Sequence, residues 1–418
     1  MADLMPVRDA QERILTIINE KKSEPCLAEE SYRRILAMDI HSPLRLPPFD
    51  NSSMDGFAVH SSDLNGATKN TPITLPVAFD IPAGVSVEME LPSGKAARIF
   101  TGAPLPRGAD AVVIVEDTDQ FSAARTEKLP AVVKIFHEVA RGENCRLAGT
   151  DLEAGKIVLN KGKTLLPQDV GLLVSLGVRQ VQVMSKAHIA LFSSGDELLA
   201  PDEALQPGKI YDSNHYMLKG MLEAAGAEVQ YLGIARDNPE SVIATLDRAL
   251  ATPPDLIISS AGVSVGVFDY VQQVITQHGN LSFWRVNMRP GKPVVFGNYK
   301  GIPFLGMPGN PVSSYIGCLV FGLPIIRKLH GQPPFTQKYV KAILTEPLES
   351  ADGRESYYRG MLFEENGVMK ASLVEHQGSG NLYSLVRANA LLIVPAGVRS
   401  LPAGSEINTW PLNGLFDR

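Results

Sequence analysis

Cysteine is scarce: the 418 residues hold three, Cys26, Cys145 and Cys318. They are widely spaced and odd in number, so neither a disulfide framework nor a paired zinc spacing can be built from them. A reducing cytoplasm is the expected compartment. Positive charge is not in surplus either: 39 Lys and Arg stand against 45 Asp and Glu, a net charge of −6. That balance speaks against nucleic-acid or anionic-membrane binding, and any useful cation must act locally. The N-terminal MADLMPVRDAQERILTIINE lacks a basic region followed by an apolar block, and is not read as a signal peptide. The most apolar stretch, Tyr315 to Ile326, is interrupted by Gly317, Gly322 and Pro324 and is expected to be too short for a bilayer. Histidines such as His188 show no ligand pairing; His376, in EHQGSGN, is the one retained as a candidate. Ser264 is not in a nucleophile elbow and no Ser-His-Asp set is evident, so covalent hydrolase chemistry is not expected. Internal repeats and low-complexity segments are absent.

What is present fits a soluble multidomain enzyme. Hydrophobic residues make up 44% of the chain, and the length alone implies about three domains. Val7 to Glu20 places Ile14, Leu15, Ile17 and Ile18 on one helical stripe, and Glu29 to Met38 reads as a second helix. Residues 42 to 155 are short β-rich runs punctuated by Pro and Gly, an irregular all-β module. After a helix near Gln168 to Ser175 and the strand-like VRQVQVM, the pattern alternates. HIALFSS, AEVQYLGIA, LIISSAG and SFWRVNM read as strands, and VVFGNYKGIPFLGM as a hairpin. The helices between them are Ser213 to Ala225, Pro239 to Ala251 opened by Asn238, and Tyr270 to Gln277, with Val312 to Leu329 closing. Such alternation predicts a parallel sheet covered by helices on both faces, with ligands outside the carboxyl ends of the strands. Beyond Pro334, alternating strands and turns such as Glu365-Asn366-Gly367 predict a small C-terminal β-barrel or sandwich.

The chemistry-bearing groups fall on one predicted edge of that sheet: Asp196 and Glu197 in LFSSGDEL, Asp237, Gly262 to Asp269, and Arg289 to Lys292. Glycines let backbone N–H groups approach an oxyanion, and Asn310 with Pro311 can open a helix whose free amides face a ligand. Glu197 and Asp269 are hard oxygen donors that suit magnesium, which takes one or two carboxylates plus phosphate oxygens. Taken singly, Asp196 and Asp269 also fit helix caps, and Arg285, Arg289 and Lys292 also fit a solvated cationic edge. Pro290 and Gly291 between the cations favour a concave basic lip for a phosphate or a tetrahedral oxyanion. The β module adds Asp55 in NSSMDGFAV, where an Asp before glycine also serves a turn. It further adds Thr101 in FTGAPLP, and Arg146 with Asp151 in CRLAGTD.

Taken in order, PPFDNSSMDGFAV, RIFTGAPLP, ADAVVIVEDT, AGTDL, LFSSGDEL, GKIYDSNHYML, SSAGVSVGVFDY, RPGKPVVFG, GMPGNPVSS, YYRG and HQGS resemble the MoeA family. These are the molybdopterin molybdenumtransferases, also represented by the E domain of gephyrin. The resemblance runs from about Pro43 to about Ser384. It implies insertion of molybdate into adenylyl-molybdopterin with release of AMP and a need for Mg²⁺. It also implies a homodimer whose active site forms between protomers, with transient contacts to the molybdopterin adenylyltransferase and to apo-molybdoenzymes. The implied fold is mixed α/β and β: a central doubly wound domain (1–22 and 187–335), a small linking domain (23–41 and 156–186), a β-rich module (42–155) and a C-terminal barrel (336–418).

Residue by residue, the resemblance assigns catalytic positions to Asp55, Thr101, Asp151, Glu197, Asp237 and Asp269, with Glu197 and Asp269 on the metal. Substrate positions fall on Arg146, Gly262, Ser264, Arg285, Arg289, Lys292, Pro308, Pro311, Arg359 and Ser379. Arginine at 285 and 289 replaces the family's common lysine, exchanging a point donor for a planar fork. Ala261 stands where glycine is usual and narrows the pocket by one methyl group. Two other readings fit the same α/β pattern: an adenylyltransferase acting on molybdopterin with ATP, and a non-catalytic scaffold of the gephyrin kind.

Overall fold

The computed structural model describes residues 4–86, 88–121, 128–262, 270–335, 337–350 and 353–412. The chain divides into two compact units. One comprises Met1–Met38, Lys161–Val170 and Gln180–Arg418; the other comprises Asp39–Asn160 and Gly171–Arg179.

The larger unit is organised by a six-stranded sheet. Its spatial order is Glu228–Ala235, His188–Ser194, Leu256–Ser260, Ile302–Met307, Val295–Tyr299 and Gly279–Trp284, the first four parallel. HIALFSS becomes a central strand because all its residues after His188 are buried, as a strand covered on both faces requires. Alternate side chains serve opposite layers. Ile189 and Leu191 pack with the helices Val7–Ile17, Ser213–Ala224 and the 311–329 run. Ala190 and Phe192 pack with Pro239–Ala249 and Tyr270–His278. Asn238 caps its helix as expected, its side chain accepting from the Ser241 N–H at 2.8 Å. The first strand has its successors on both sides, so the chain reverses direction across the sheet between His188–Ser194 and Leu256–Ser260. Ligand crevices form at such a point.

Two elements depart from expectation. Glu29 to Met38 is not a helix: one tight turn, Ala28–Glu30, is followed by Arg33 at φ 63°. Ile35 and Leu36 then bridge to Thr164 and Val183 in extended form. Leu36 is fully buried there, and pairing with a neighbouring strand outweighs its helix-compatible spacing. The closing helix runs unbroken over Pro311–Leu329, 19 residues, long and apolar enough to cross a membrane. Its most apolar window is nevertheless 78% buried, and Ile316, Phe321 and Ile325 lie in the core. The turn widens over Cys318–Gly322, just before Pro324, whose missing N–H and bulky ring would otherwise disrupt a regular turn.

The C-terminal strands of this unit close into a five-stranded barrel. Their order is Glu355–Glu365, Val368–Leu373, Val340–Leu344, Glu406–Pro411 and Ala390–Val394, which pairs back with the first. Asn366 and Gly367 form the hairpin loop at φ 52° and 75°, the double positive φ of a tight two-residue turn. Tyr358 points into the barrel core with Leu344 and Ile407, so Arg359 next to it faces outward.

The smaller unit is built on a five-stranded sheet ordered Ala111–Ile114, Gly56–Val59, Ala96–Ile99, Ile73–Ile81 and Val132–Ile135. Phe57 and Val59 pack on one face and Ala58 with Ile99 on the other. A Cβ on Gly56 would lie 1.9 Å from the Val113 carbonyl oxygen, so the glycine after Asp55 is demanded by strand approach. Arg98 is buried and held by both Asp80 oxygens, at 2.8 and 2.6 Å.

Candidate active site

Three loops leave the carboxyl ends of the central strands. After His188–Ser194 the chain turns at Gly195, φ 152°, where a Cβ would sit 2.4 Å from a Glu197 carboxylate oxygen. Glycine lets Glu197 fold back over the strand end, and its carboxylate has no hydrogen-bond partner among the described residues. Asp196 and Asp237 tie this loop to the next. The Asp196 N–H donates to Asp237 Oδ2 at 3.2 Å, and the Asp237 N–H returns to Asp196 Oδ1 at 3.4 Å. The exposed side chains of Asp196 and Glu197 and the half-buried Asp237 make this corner acidic and wet. Asp269 and Ser264 lie outside the described residues.

The third loop begins at Ala261 and Gly262, both at positive φ, 76° and 74°. A Cβ on Gly262 would meet Val271 at 2.4 Å, so the site tolerates only glycine. The Ala261 methyl points at the turn formed by Pro308 to Pro311: a Cβ added to Gly309 would approach it to 3.1 Å. The Ala261 methyl therefore leaves little room for a side chain at position 309. Asn214 clamps the same two segments from below. Its amide donates to Ser260 Oγ at 2.8 Å and to the Gly309 carbonyl at 2.7 Å, while its own oxygen is buried without a partner among the described residues. Asp212 starts that helix, accepting from the His215 N–H at 3.2 Å and from the Tyr231 hydroxyl at 2.9 Å. Burial, with the Asp212 charge beside it, raises the Tyr231 hydroxyl well above its ordinary value, keeping it a donor. Sequence reasoning missed Asn214 and Asp212 as site residues. The cap signature of Asp212 was visible in YDSN, whereas the partners of Asn214 lie 46 and 95 residues away.

The cationic side is assembled by the short strand Met288–Arg289, which pairs with the first residues of Glu355–Glu365 so that Arg289 faces Ser356. Arg359 follows on the same barrel strand. It is 1% exposed, and its guanidinium donates to Ser384 Oγ and to the Gly378 carbonyl, both at 3.0 Å. No carboxylate pairs with it among the described residues, and desolvation pulls its pKa down to about 10. Gln377 fixes the strand here, accepting from the Arg359 N–H at 3.0 Å and donating to its carbonyl at 2.9 Å. Arg289 and Lys292 are exposed. Arg285, at φ 78°, lays its guanidinium 4.0 Å from the Trp284 ring centre.

Ser379 meets the start of the 311–329 helix. Its carbonyl accepts from the Val312 N–H at 3.1 Å and its hydroxyl from the Asn310 amide at 3.0 Å. Asn310 therefore precedes Pro311 as expected, but its side chain makes no cap bond, and the Val312 amide is taken up by the chain itself. His376 Nδ1 accepts from the Asn381 amide at 3.1 Å.

In the smaller unit Asp55 and Thr101 are brought together: Asp55 Oδ1 accepts from the Thr101 N–H at 2.7 Å and from its hydroxyl at 2.8 Å. Arg146 and Asp151 form an exposed ion pair at 2.5 Å. Asn51–Ser52 pairs with Cys145–Arg146, and the Ser52 N–H donates to the Ala103 carbonyl at 3.0 Å. The segments that carry all four side chains are thus linked.

Comparison with known proteins agrees along the whole chain. Residues 5–177 match the MoeA N-terminal region (domain I and II), residues 190–328 a probable molybdopterin binding domain, and residues 341–412 the MoeA C-terminal region (domain IV). The chain is 37% identical over 385 residues to the molybdopterin molybdenumtransferase 2 of Mycobacterium tuberculosis, covering 90% of this chain and 92% of that one. It is 36% identical over 392 residues to the molybdopterin molybdenumtransferase of Haemophilus influenzae, with 93% of each covered. Among solved structures, the molybdopterin biosynthesis MoeA protein from Pyrococcus horikoshii superposes with a TM-score of 0.83 at 30% identity, covering 99% of this chain and all of the other. The chain is an enzyme and belongs to the MoeA family, the molybdopterin molybdenumtransferases.

Proposed function

We propose that the protein inserts molybdate into adenylyl-molybdopterin with release of AMP, in a Mg²⁺-dependent reaction, acting as a cytoplasmic homodimer. The observation that carries the reading is Arg359: a fully buried cation with no carboxylate partner among the described residues, beside the 376–381 segment. A buried charge left without an opposite charge is costly, and an oxyanion arriving from outside relieves that cost. Arg359 and Ser379 would hold the oxyanion, with Arg289 and Lys292 lending charge from the lip and Arg285 stacked on Trp284. The turns at Gly262 and at Pro308 to Pro311, with Ser264, would bring backbone close to the substrate. On the smaller unit, Asp55 with Thr101 and Asp151 with Arg146 stay candidate site residues by the family resemblance.

The donor set suits magnesium. Glu197 is a hard oxygen donor on an open corner and has no competing hydrogen bond among the described residues. Glu197 and Asp269 would hold the ion. When bound, the ion would stabilise negative charge on the leaving phosphate. The protein's remaining contribution is positioning, since its own groups form no covalent bond with substrate.

Purified protein incubated with adenylyl-molybdopterin, Mg²⁺ and molybdate or tungstate, with AMP followed, tests the reaction. AMP release independent of both oxyanion and Mg²⁺ would refute it. Product formation from ATP and molybdopterin without molybdate would instead establish the adenylyltransferase reading. Light scattering tests the dimer: a single species of 45.2 kDa at micromolar concentration would overturn it.

A further inference from the structure

A cavity lies within the larger unit, at the end of the parallel sheet opposite the candidate active site. Its volume is about 590 Å³, in the range of sites that enclose small organic ligands. Lys186, just before the strand His188–Ser194, lines it, as do Gly226 and Ala227, just before Glu228–Ala235. It therefore sits at the amino ends of the strands whose carboxyl ends carry Glu197 and Asp237. Nothing in the proposed reaction uses it.

Its lining combines two kinds of residue. Ile35, Met184, Leu319, Leu323 and Trp410 supply apolar surface. Five cations, Arg33, Arg34, Lys186, Arg327 and Lys338, stand against two acids, Glu30 and Glu223. That is a local excess of positive charge in a chain of net −6. Arg34 is occupied by Glu24 and the Met184 carbonyl, and Arg327 by the Pro333 carbonyl. Arg33, Lys186 and Lys338 have no ion pair among the described residues. Arg33 is also held at φ 63°, a conformation that a non-glycine residue adopts at a cost, with its guanidinium 5.7 Å from the half-exposed Tyr32 ring.

Two features that would oppose an anion are neutralised. The helix Ser213–Ala224 ends at the cavity, but its last carbonyls are bonded internally. The Gly226 N–H donates to Glu223 at 2.9 Å and the Ala227 N–H to Leu222 at 3.0 Å, so few free carbonyl oxygens face the space. His330, buried in the lining, adds no titrating charge near neutral pH: burial and the nearby Lys21, Arg34 and Arg327 hold its pKa down to about 4. Its Nε2 accepts from the Ala187 N–H at 3.1 Å, which fixes the strand entry.

We propose that this cavity is a binding site for a planar organic phosphate, an aromatic or heterocyclic ring carrying one phosphate group. The ring would lie against the apolar lining residues and the phosphate would be met by Arg33, Lys186 and Lys338. Charge-assisted bonds supply the affinity for the head, and burial of the ring supplies the rest. The site is separate from the candidate active site, so its occupation offers a route to regulation and not to catalysis.

The test is calorimetric titration of the full-length protein with 1-naphthyl phosphate, and with 1-naphthol as the uncharged control. Saturable binding of the phosphate is expected, with 1-naphthol at least about tenfold weaker. Arg33→Asn removes the charge with a residue that tolerates positive φ, and Lys186→Gln removes the second cation. Each should weaken binding about tenfold, while Lys186→Arg retains it. Arg359→Met should leave 1-naphthyl phosphate binding unchanged, which separates this proposal from the molybdenum-insertion reading. Absence of saturable binding, equal affinity for naphthol, or binding lost in Arg359→Met but kept in Arg33→Asn and Lys186→Gln would overturn the proposal.

Discussion

Replacing Arg359 by methionine separates two explanations for a buried arginine. As a structural strut it should be missed by the fold; as an anion receptor it should be missed only by the substrate. The structure sets the magnitudes. Its pKa falls from the ordinary 12.5 to about 10, which corresponds to about 3 kcal/mol of penalty on the charged form at neutral pH. Against that stand two hydrogen bonds from the guanidinium, each about 1.5–3 kcal/mol for a charged partner. Removing them leaves neither acceptor orphaned. The Gly378 carbonyl also accepts from the Asn381 N–H at 3.2 Å, and the Ser384 hydroxyl donates to the Asn381 carbonyl at 2.6 Å. Methionine is of similar length and suits a buried site, so Arg359→Met should change stability by no more than about 2 kcal/mol in either direction. Losing a charged bond to the oxyanion, in contrast, should weaken molybdate binding about ten- to a hundredfold. Urea unfolding gives the first quantity. The second comes from molybdate titrated against initial AMP release, and from the rise in Tm that molybdate produces in wild type and should not produce in the variant. A loss of more than about 4 kcal/mol with molybdate affinity unchanged would refute the reasoning and make Arg359 a strut.

Three further outcomes are expected. Glu197→Gln should sharply reduce Mg²⁺-dependent AMP release while leaving the unfolding midpoint intact, since an amide is a poorer magnesium ligand; wild-type turnover at every Mg²⁺ concentration would remove Glu197 from the metal site. Arg285→Lys should stay within a few-fold of wild type for molybdate, because Arg285 is stacked on Trp284, whereas Arg289→Lys should lose about tenfold or more; equal losses would contradict the ordering. His330 is neutral when folded, with its pKa lowered to about 4, so the unfolded chain binds the extra proton between that value and its ordinary 6.5. Stability is therefore full above pH 6.5 and falls by about 3 kcal/mol as pH drops through that window to 4. His330→Gln, with an oxygen able to accept the Ala187 N–H, should flatten this stretch of the stability–pH curve, and an unchanged slope would show that another group sets it.

Much of the α/β layer was legible in the chain. HIALFSS became exactly the strand His188–Ser194, and the helix opened by Asn238 begins at Pro239. Both are local decisions: a continuous apolar run fits a strand buried on two faces, and a cap bonds to an amide three residues on. The two-residue turn at Asn366-Gly367 is likewise written in the residues that occupy it. Glu29 to Met38 went the other way because Ile35 and Leu36 are satisfied by Thr164 and Val183, partners that no local window contains.

The same division runs through the candidate site. The sequence by itself determined which residue types are available at the strand ends: the carboxylates Glu197 and Asp237, the glycines that let backbone approach, and the cations before and after Pro290. Only the tertiary structure decided what each of them does. It stacked Arg285 on Trp284, turned the Asn310 side chain from its own helix to Ser379, and buried Arg359 against Gly378 and Ser384 with no carboxylate paired to it among the described residues. It also placed Asn214 under Ser260 and Gly309. Spacing along the chain encodes turns, caps and faces, because those forces act over a few residues. The pairing of a buried charge, and the desolvation that gives it chemical use, depend on neighbours tens to hundreds of residues away, which only the folded chain brings together.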